Sequence, residues 1–170
     1  MNGKLILLIA GAAAVAWYGL IGGKKVDEDK VQAMYRDYMS AFDRGDSKAV
    51  CEFFHEKLTG EVRYQSRVVP ELQTVNKAKA CAAVDEFRDA KQKLEAQVGH
   101  ELYTNLGMTV QSIKVAADKK SAEVEVLLEM RIGTEQGALL DARSTQRDVI
   151  KANWGKLQFV ESHALVKYYQ

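Results

Sequence analysis

No low-complexity tract, no glycine-rich phosphate loop and no Gly-x-Ser-x-Gly elbow occurs in this 170-residue chain. The first absence argues against disorder away from the ends. The other two exclude a nucleotide-cradling loop and the hydrolase nucleophile turn. A basic stripe is missing as well. Nucleic-acid binders draw most of their affinity from neutralising phosphates, yet here 24 lysines and arginines stand against 23 acidic residues. Lys4, Lys24 and Lys25 flank one hydrophobic stretch; without them 21 basic residues face the 23 acidic ones, and the remainder is near −2. Nucleic acid is not an expected partner.

Histidine occurs three times, at His55, His100 and His163, and in no complete metal-binding pattern. Glu52 and His55 make a single Glu-x-x-His on an expected helix, half of a di-iron site with no second copy. His55-Glu56 opens a zinc-protease-like string, but Thr59 stands where the second histidine belongs. Neither a metal nor an organic cofactor is expected.

What the chain has in quantity at its start is apolar residues. Leu5 to Gly23 carries no charge over 19 residues. As a helix rising about 1.5 Å per residue it reaches about 28 Å, close to the hydrocarbon thickness of a bilayer. Trp17 and Tyr18 stand toward its C-terminal end, where amphipathic rings favour the interface, and Lys24-Lys25 close it. The rival reading is a cleaved secretory signal ending at Ala14-Val15-Ala16; against it, the apolar run continues through Leu20 and Ile21. The expected division is residues 1–25 as a transmembrane anchor and 26–170 as one soluble domain. Ala12, Ala16, Gly19 and Gly23 fall on one stripe, and small side chains there let another membrane helix approach. Lysines on the two sides balance, but so short an N-terminus is easily left in the cytoplasm while the bulk is exported. A bacterial inner membrane with a periplasmic domain is therefore the expected location, with the lipid bilayer and membrane proteins as partners.

Beyond the anchor, Val31, Met34, Tyr35, Tyr38, Met39 and Phe42 recur at helical spacing, predicting a helix over 26–43 with Asp27, Glu28 and Asp29 at its positive end. Gly45 stops it, and Asp46 or Ser47 caps a second helix over 48–58, with Val50, Phe53, Phe54 and Leu58 inward and Thr59-Gly60 ending it. A short extended piece over 61–69 precedes Pro70, the only proline, and a third helix covers 76–98. Strands follow. Residues 122–132 alternate strictly, with Val124, Val126, Leu128, Met130 and Ile132 on one face and Glu123, Glu125, Glu129 and Arg131 on the other. Period two of this kind means one face packed and the other wet. Further strands are expected over 108–116, 139–154 and 156–168, with tight turns at 118–121 and 153–156. Helices first and antiparallel strands after them make the class α+β.

This order resembles the nuclear-transport-factor-2-like superfamily, which includes ketosteroid-isomerase and polyketide-cyclase groups. The likeness rests on the first helix ending in Phe42-Asp43-Arg44-Gly45-Asp46, on Ala49-Val50-Cys51-Glu52-Phe53-Phe54, and on the closing hairpin over Val149 to Val160. It implies a cone of three helices and a curved antiparallel sheet around a pocket, and a possible homodimer through the exposed sheet face. Membrane-tethered members of the superfamily serve as periplasmic assembly subunits.

An isomerase of that kind needs a carboxylate and a tyrosine facing an apolar pocket. Tyr35, Tyr38, Tyr64, Glu129, Asp148 and Glu161 are the available groups, and their spacing makes no two of them converge. Two readings of function follow. The first is a noncatalytic, single-pass membrane subunit whose exported domain binds or scaffolds partner proteins. The alternative is a tethered pocket enzyme or small-ligand carrier with Tyr38, His55, Tyr64 and His163 lining the cavity. Cys51 and Cys81, the only cysteines, lie on the second and third expected helices. An exported domain would favour a disulfide between them, worth roughly 3 kcal/mol for a loop of about thirty residues in the chain-entropy treatment; two buried thiols are the other possibility.

Overall fold

The apolar stripe beginning at Val31 folds as helix α1, Glu28–Asp43, in a computed structural model that describes residues 25–65, 71–135 and 137–169. The expected anchor, with Ala12, Ala16, Gly19 and Gly23, lies outside the described residues. Among those described, no helix is long and apolar enough to cross a membrane. Asp27 caps α1 by accepting the Lys30 amide at 2.9 Å, which satisfies one of the amides a helix start leaves free. Gly45, at φ +66°, turns the chain out of the helix. Asp46 then accepts the Ala49 amide at 2.9 Å and caps α2.

Helix α2 is short, Ser47–Glu52, and here the sequence expectation is corrected. Residues 54–58 are not helical: Phe54–Gln65 is strand β1. Val50, Phe53, Phe54 and Leu58 fit one helix face, but Phe54 and Leu58 are also an even number apart and can share a strand face. The choice is made from outside. The Phe159 amide donates to the Phe53 carbonyl at 2.8 Å, and Gln158 Nε2 donates to the Glu52 carbonyl at 3.0 Å. The closing strand thus draws the chain into the sheet. Thr59-Gly60 is mid-strand rather than a stop.

Strand β2, Glu71–Asn76, returns along β1, and α3 follows as Lys77–Val98. Asn76 caps α3 through the Lys79 amide, and Gly99 at φ +73° ends it. Four long strands complete the domain: β3 Tyr103–Val115, β4 Ser121–Thr134, β5 Gly137–Asn153 and β6 Lys156–Tyr169. The six-stranded sheet has the order β2-β1-β6-β5-β4-β3. It is not antiparallel throughout, as the sequence reading had it: β1 and β6 run parallel. A parallel neighbour needs a long crossover, and the whole of β2 to β5 supplies it. Register irregularities at Val110/Ser112, Ile132/Gly133 and Val149/Ile150 are the bulges that let so long a sheet bend.

The helices cover one face of the curve. Val26, Val31, Met34 and Tyr35 pack with Val124, Val126, Ile150 and Phe159 in the main core, and each such fully buried side chain contributes about 1.5–3 kcal/mol. Cys51 on α2 and Cys81 on α3 are joined by a disulfide, with Cα atoms 5.0 Å apart. The other sheet face is uncovered by any described element.

Candidate functional site

Inward positions on β5 are Ala142, Asp148 and Ile150. An acid in an inward register is costly unless its oxygens are paired. Asp148 is fully buried, and Tyr35 on α1 donates its hydroxyl to Oδ2 at 2.6 Å. Gln146 Nε2 donates to Oδ1 at 2.8 Å and to Oδ2 at 3.1 Å, and lies 3.0 Å from Ser162 Oγ. Ser162 is the cross-strand partner of Asp148 on β6 and a further hydrogen-bond partner of its carboxylate. Burial pushes the Asp148 carboxyl above the ordinary range for aspartate, while the bonds from Tyr35, Gln146 and Ser162 pull it back. The Tyr35 hydroxyl is driven far up, first by burial and then by the Asp148 charge. A tyrosine beside a carboxyl held toward its neutral form is the pair with which an isomerase can polarise a carbonyl. In this chain, however, the tyrosine proton is spent on the carboxylate, and Tyr35 is only 2% exposed.

Around the pair the interior is aromatic. The Tyr38 ring meets Phe53, Phe54 and Phe159 edge-on, at centroid distances of 5.8, 6.0 and 5.4 Å. Tyr35 meets Phe159 in the same way at 5.4 Å. Such contacts add about 0.5–1.5 kcal/mol each beyond area burial. Tyr38 is therefore a packing residue, and burial pushes its hydroxyl up to about 12.

The other residues singled out from the sequence do not converge. His55 is on β1, not on a helix, so the expected helical Glu52-x-x-His55 geometry does not exist; its Nδ1 accepts the Lys57 amide at 3.1 Å. Tyr64, toward the far end of β1, stacks on Tyr168 with centroids 6.3 Å apart. His163 is on the opposite, open face and pairs with Glu161 at 2.8 Å. Sequence reasoning named Tyr35 and Asp148 without joining them, and missed Gln146 and Ser162. The available signal was the inward phase of Asp148 between Ala142 and Ile150.

The open face is a mosaic. One row crosses all six strands: Leu72, Arg63, Leu165, Thr145, Leu127 and Thr109 stand side by side by register. Ion pairs flank it, Arg147–Glu123 at 2.6 Å, Arg143–Glu129 at 3.0 Å and Arg131–Asp141 at 3.1 Å. At such exposure solvent screens them and they add little to stability; their effect is to set the charge pattern of the surface. A shallow depression of about 360 Å³ lies in this face, edged by Glu61, Arg63, Leu72, Glu125, Arg147, His163 and Leu165. Three further cavities formed by described residues lie at helix edges, and none of these four is lined by Tyr35 or Asp148.

No family model matches the sequence, and no curated protein does. Solved structures do match in shape. A conserved protein from Planctomyces limnophilus superposes with a TM-score of 0.62 at 13% identity, over 84% of this chain and 98% of that one. A nuclear-transport-factor-2-like protein from Cytophaga hutchinsonii gives 0.56 at 13%, over 82% and 98%. A ketosteroid isomerase-like protein from Erwinia carotovora atroseptica gives 0.53 at 13%, over 85% and 99%. The chain has the fold of these proteins, and at that identity the likeness extends to the fold alone.

Proposed function

We propose that this chain is a noncatalytic binding subunit, tethered to a membrane by residues 1–25, whose domain offers the open face of its sheet to a partner protein or to a second copy of itself. One contrast carries the reading. The only acid in the interior of the described residues is sealed and already bonded to Tyr35 and Gln146, whereas the open face presents a six-strand row of leucines, threonines and one arginine flanked by ion pairs. Fold does not choose between these roles, because one architecture hosts both. The Cys51–Cys81 disulfide supports an oxidising compartment such as a periplasm, and the uncharged stretch Leu5 to Gly23 supports the tether. The alternative, a tethered pocket enzyme or small-ligand carrier, draws its support from the Tyr35–Asp148 pair; it requires an opening that admits a ligand to that pair.

The experiment is recovery of C-terminally tagged full-length protein from native membranes in mild detergent, comparing wild type, the double variant Leu127→Lys/Leu165→Asp and Asp148→Asn. A stoichiometric protein partner, or a dimer, is expected for wild type and for Asp148→Asn and is expected to be lost from the double variant. Wild-type protein that emerges as a partner-free monomer would overturn the reading and turn attention to the interior pair.

A further inference from the structure

The β5–β6 hairpin breaks two local rules at one residue. Asn153 pairs with Lys156, so the connection is Trp154-Gly155 alone. Both have positive φ, +49° and +84°, a combination that suits Asn, Asp or Gly and disfavours a bulky side chain. Yet the first position holds tryptophan, and 86% of it is exposed, the most of any large apolar residue among those described. Strain at an exposed aromatic is a reason to look for what it touches.

The fold indicates where that tip points. The Val26 amide donates to the Lys119 carbonyl at 2.7 Å, and the Ala152 amide lies 3.5 Å from the Lys120 carbonyl. Val26 itself is fully buried. The start of the domain, the β3–β4 turn and the Trp154 turn therefore share one end of the molecule. Only Lys24 and Lys25 separate Val26 from the uncharged stretch ending at Gly23, and that link spans at most about 11 Å. Whatever holds the apolar stretch must lie within that distance of this end.

We propose that this end of the domain rests on the membrane surface, with the Trp154 ring seated in the interfacial zone of the bilayer. The inference rests on the tether reading and adds the orientation of the domain to it. Tryptophan favours that zone, where its ring meets hydrocarbon and its N–H meets water and headgroups. Lys119, Lys120 and Lys151 are exposed around the tip. Asp27 is engaged with Lys30, Asp118 with the Lys120 amide, and Glu52 with Lys156 beside the turn; Glu28 and Asp29 on the first turn of α1, and Asp37 in one groove with Gly155, are further acids nearby. The near-balance of charge leaves the apolar ring as the main attachment.

The test uses the full chain with Trp17→Phe, which makes Trp154 the sole tryptophan, reconstituted alone into phosphatidylcholine–phosphatidylglycerol vesicles. Flotation reports the tether; quenching of Trp154 by lipids brominated near the headgroup reports the contact. The proposal expects flotation together with roughly two-fold quenching, as for an interfacial indole. Vesicles that carry the protein up the gradient but leave its emission unquenched overturn the contact and leave the tether standing. Protein that stays at the bottom of the gradient overturns the tether, and the contact with it.

Discussion

Asp148 gives the domain a pH dependence of determinable sign. Its pKa is raised in the folded state by burial, while in the unfolded chain it titrates near 3.9. Between those two values the folded protein holds a proton that the unfolded chain has released, so this group makes stability fall as pH rises from about 4. Asp148→Asn removes that contribution. Its stability relative to wild type is expected to increase with pH above about 4 in denaturant melts, and a difference independent of pH would contradict the assignment. Tyr35→Phe acts on the same network from the other side. It leaves the buried carboxyl without its 2.6 Å donor, and a loss of about 1–3 kcal/mol is expected from urea unfolding. The exposed acids Glu52, Glu56 and Glu123 are each held below the usual range by a lysine or arginine. They pull the profile the opposite way, so the comparison is made against wild type at each pH.

At the scale of elements, the most demanding junction is the parallel pairing of β1 with β6. A Cβ on Gly60 would stand 2.0 Å from the Ser162 carbonyl oxygen. Both partners there are backbone in a paired strand, so neither can step aside. Gly60→Ala is expected to cost about 1–3 kcal/mol or more, read as a lowered midpoint in thermal unfolding; an unchanged midpoint would mean the two strands do not approach this way. The same junction defeated the sequence reading. Thr59-Gly60 carries the signature of a helix stop, and the apolar spacing before it suits helix and strand alike. By contrast α1, α3, β4 and the β5–β6 hairpin were legible, because Asp27, Asn76, the alternation over 122–132 and Trp154-Gly155 act on residues a few positions away.

At the scale of the whole molecule, the Tyr35–Asp148 bond and the aromatic cluster around Phe159 hold helix to sheet, and the Cys51–Cys81 disulfide holds α2 to α3. Reduction, or the double variant Cys51→Ala/Cys81→Ala, is expected to cost about 3 kcal/mol, since it reopens a loop with a sequence separation of 30. Denaturation with and without reductant checks this, and coincident curves would show that the bond constrains little. With the interior shared among these devices, the open sheet face and the Trp154 end are left exposed; on the proposed reading the first would meet another protein and the second a membrane.

The sequence by itself determined that an uncharged stretch precedes one α+β domain, that two long helices and the closing strands form where they do, and that no nucleotide loop or hydrolase elbow is present. These follow from hydrophobic period, caps and turns, which are local. Only the tertiary structure decided where α2 yields to β1, that β1 runs parallel to β6, and that Tyr35 meets Asp148 across 113 positions of chain. The physical reason is that such partners are selected by burial and strand pairing between segments that no short window of sequence contains together.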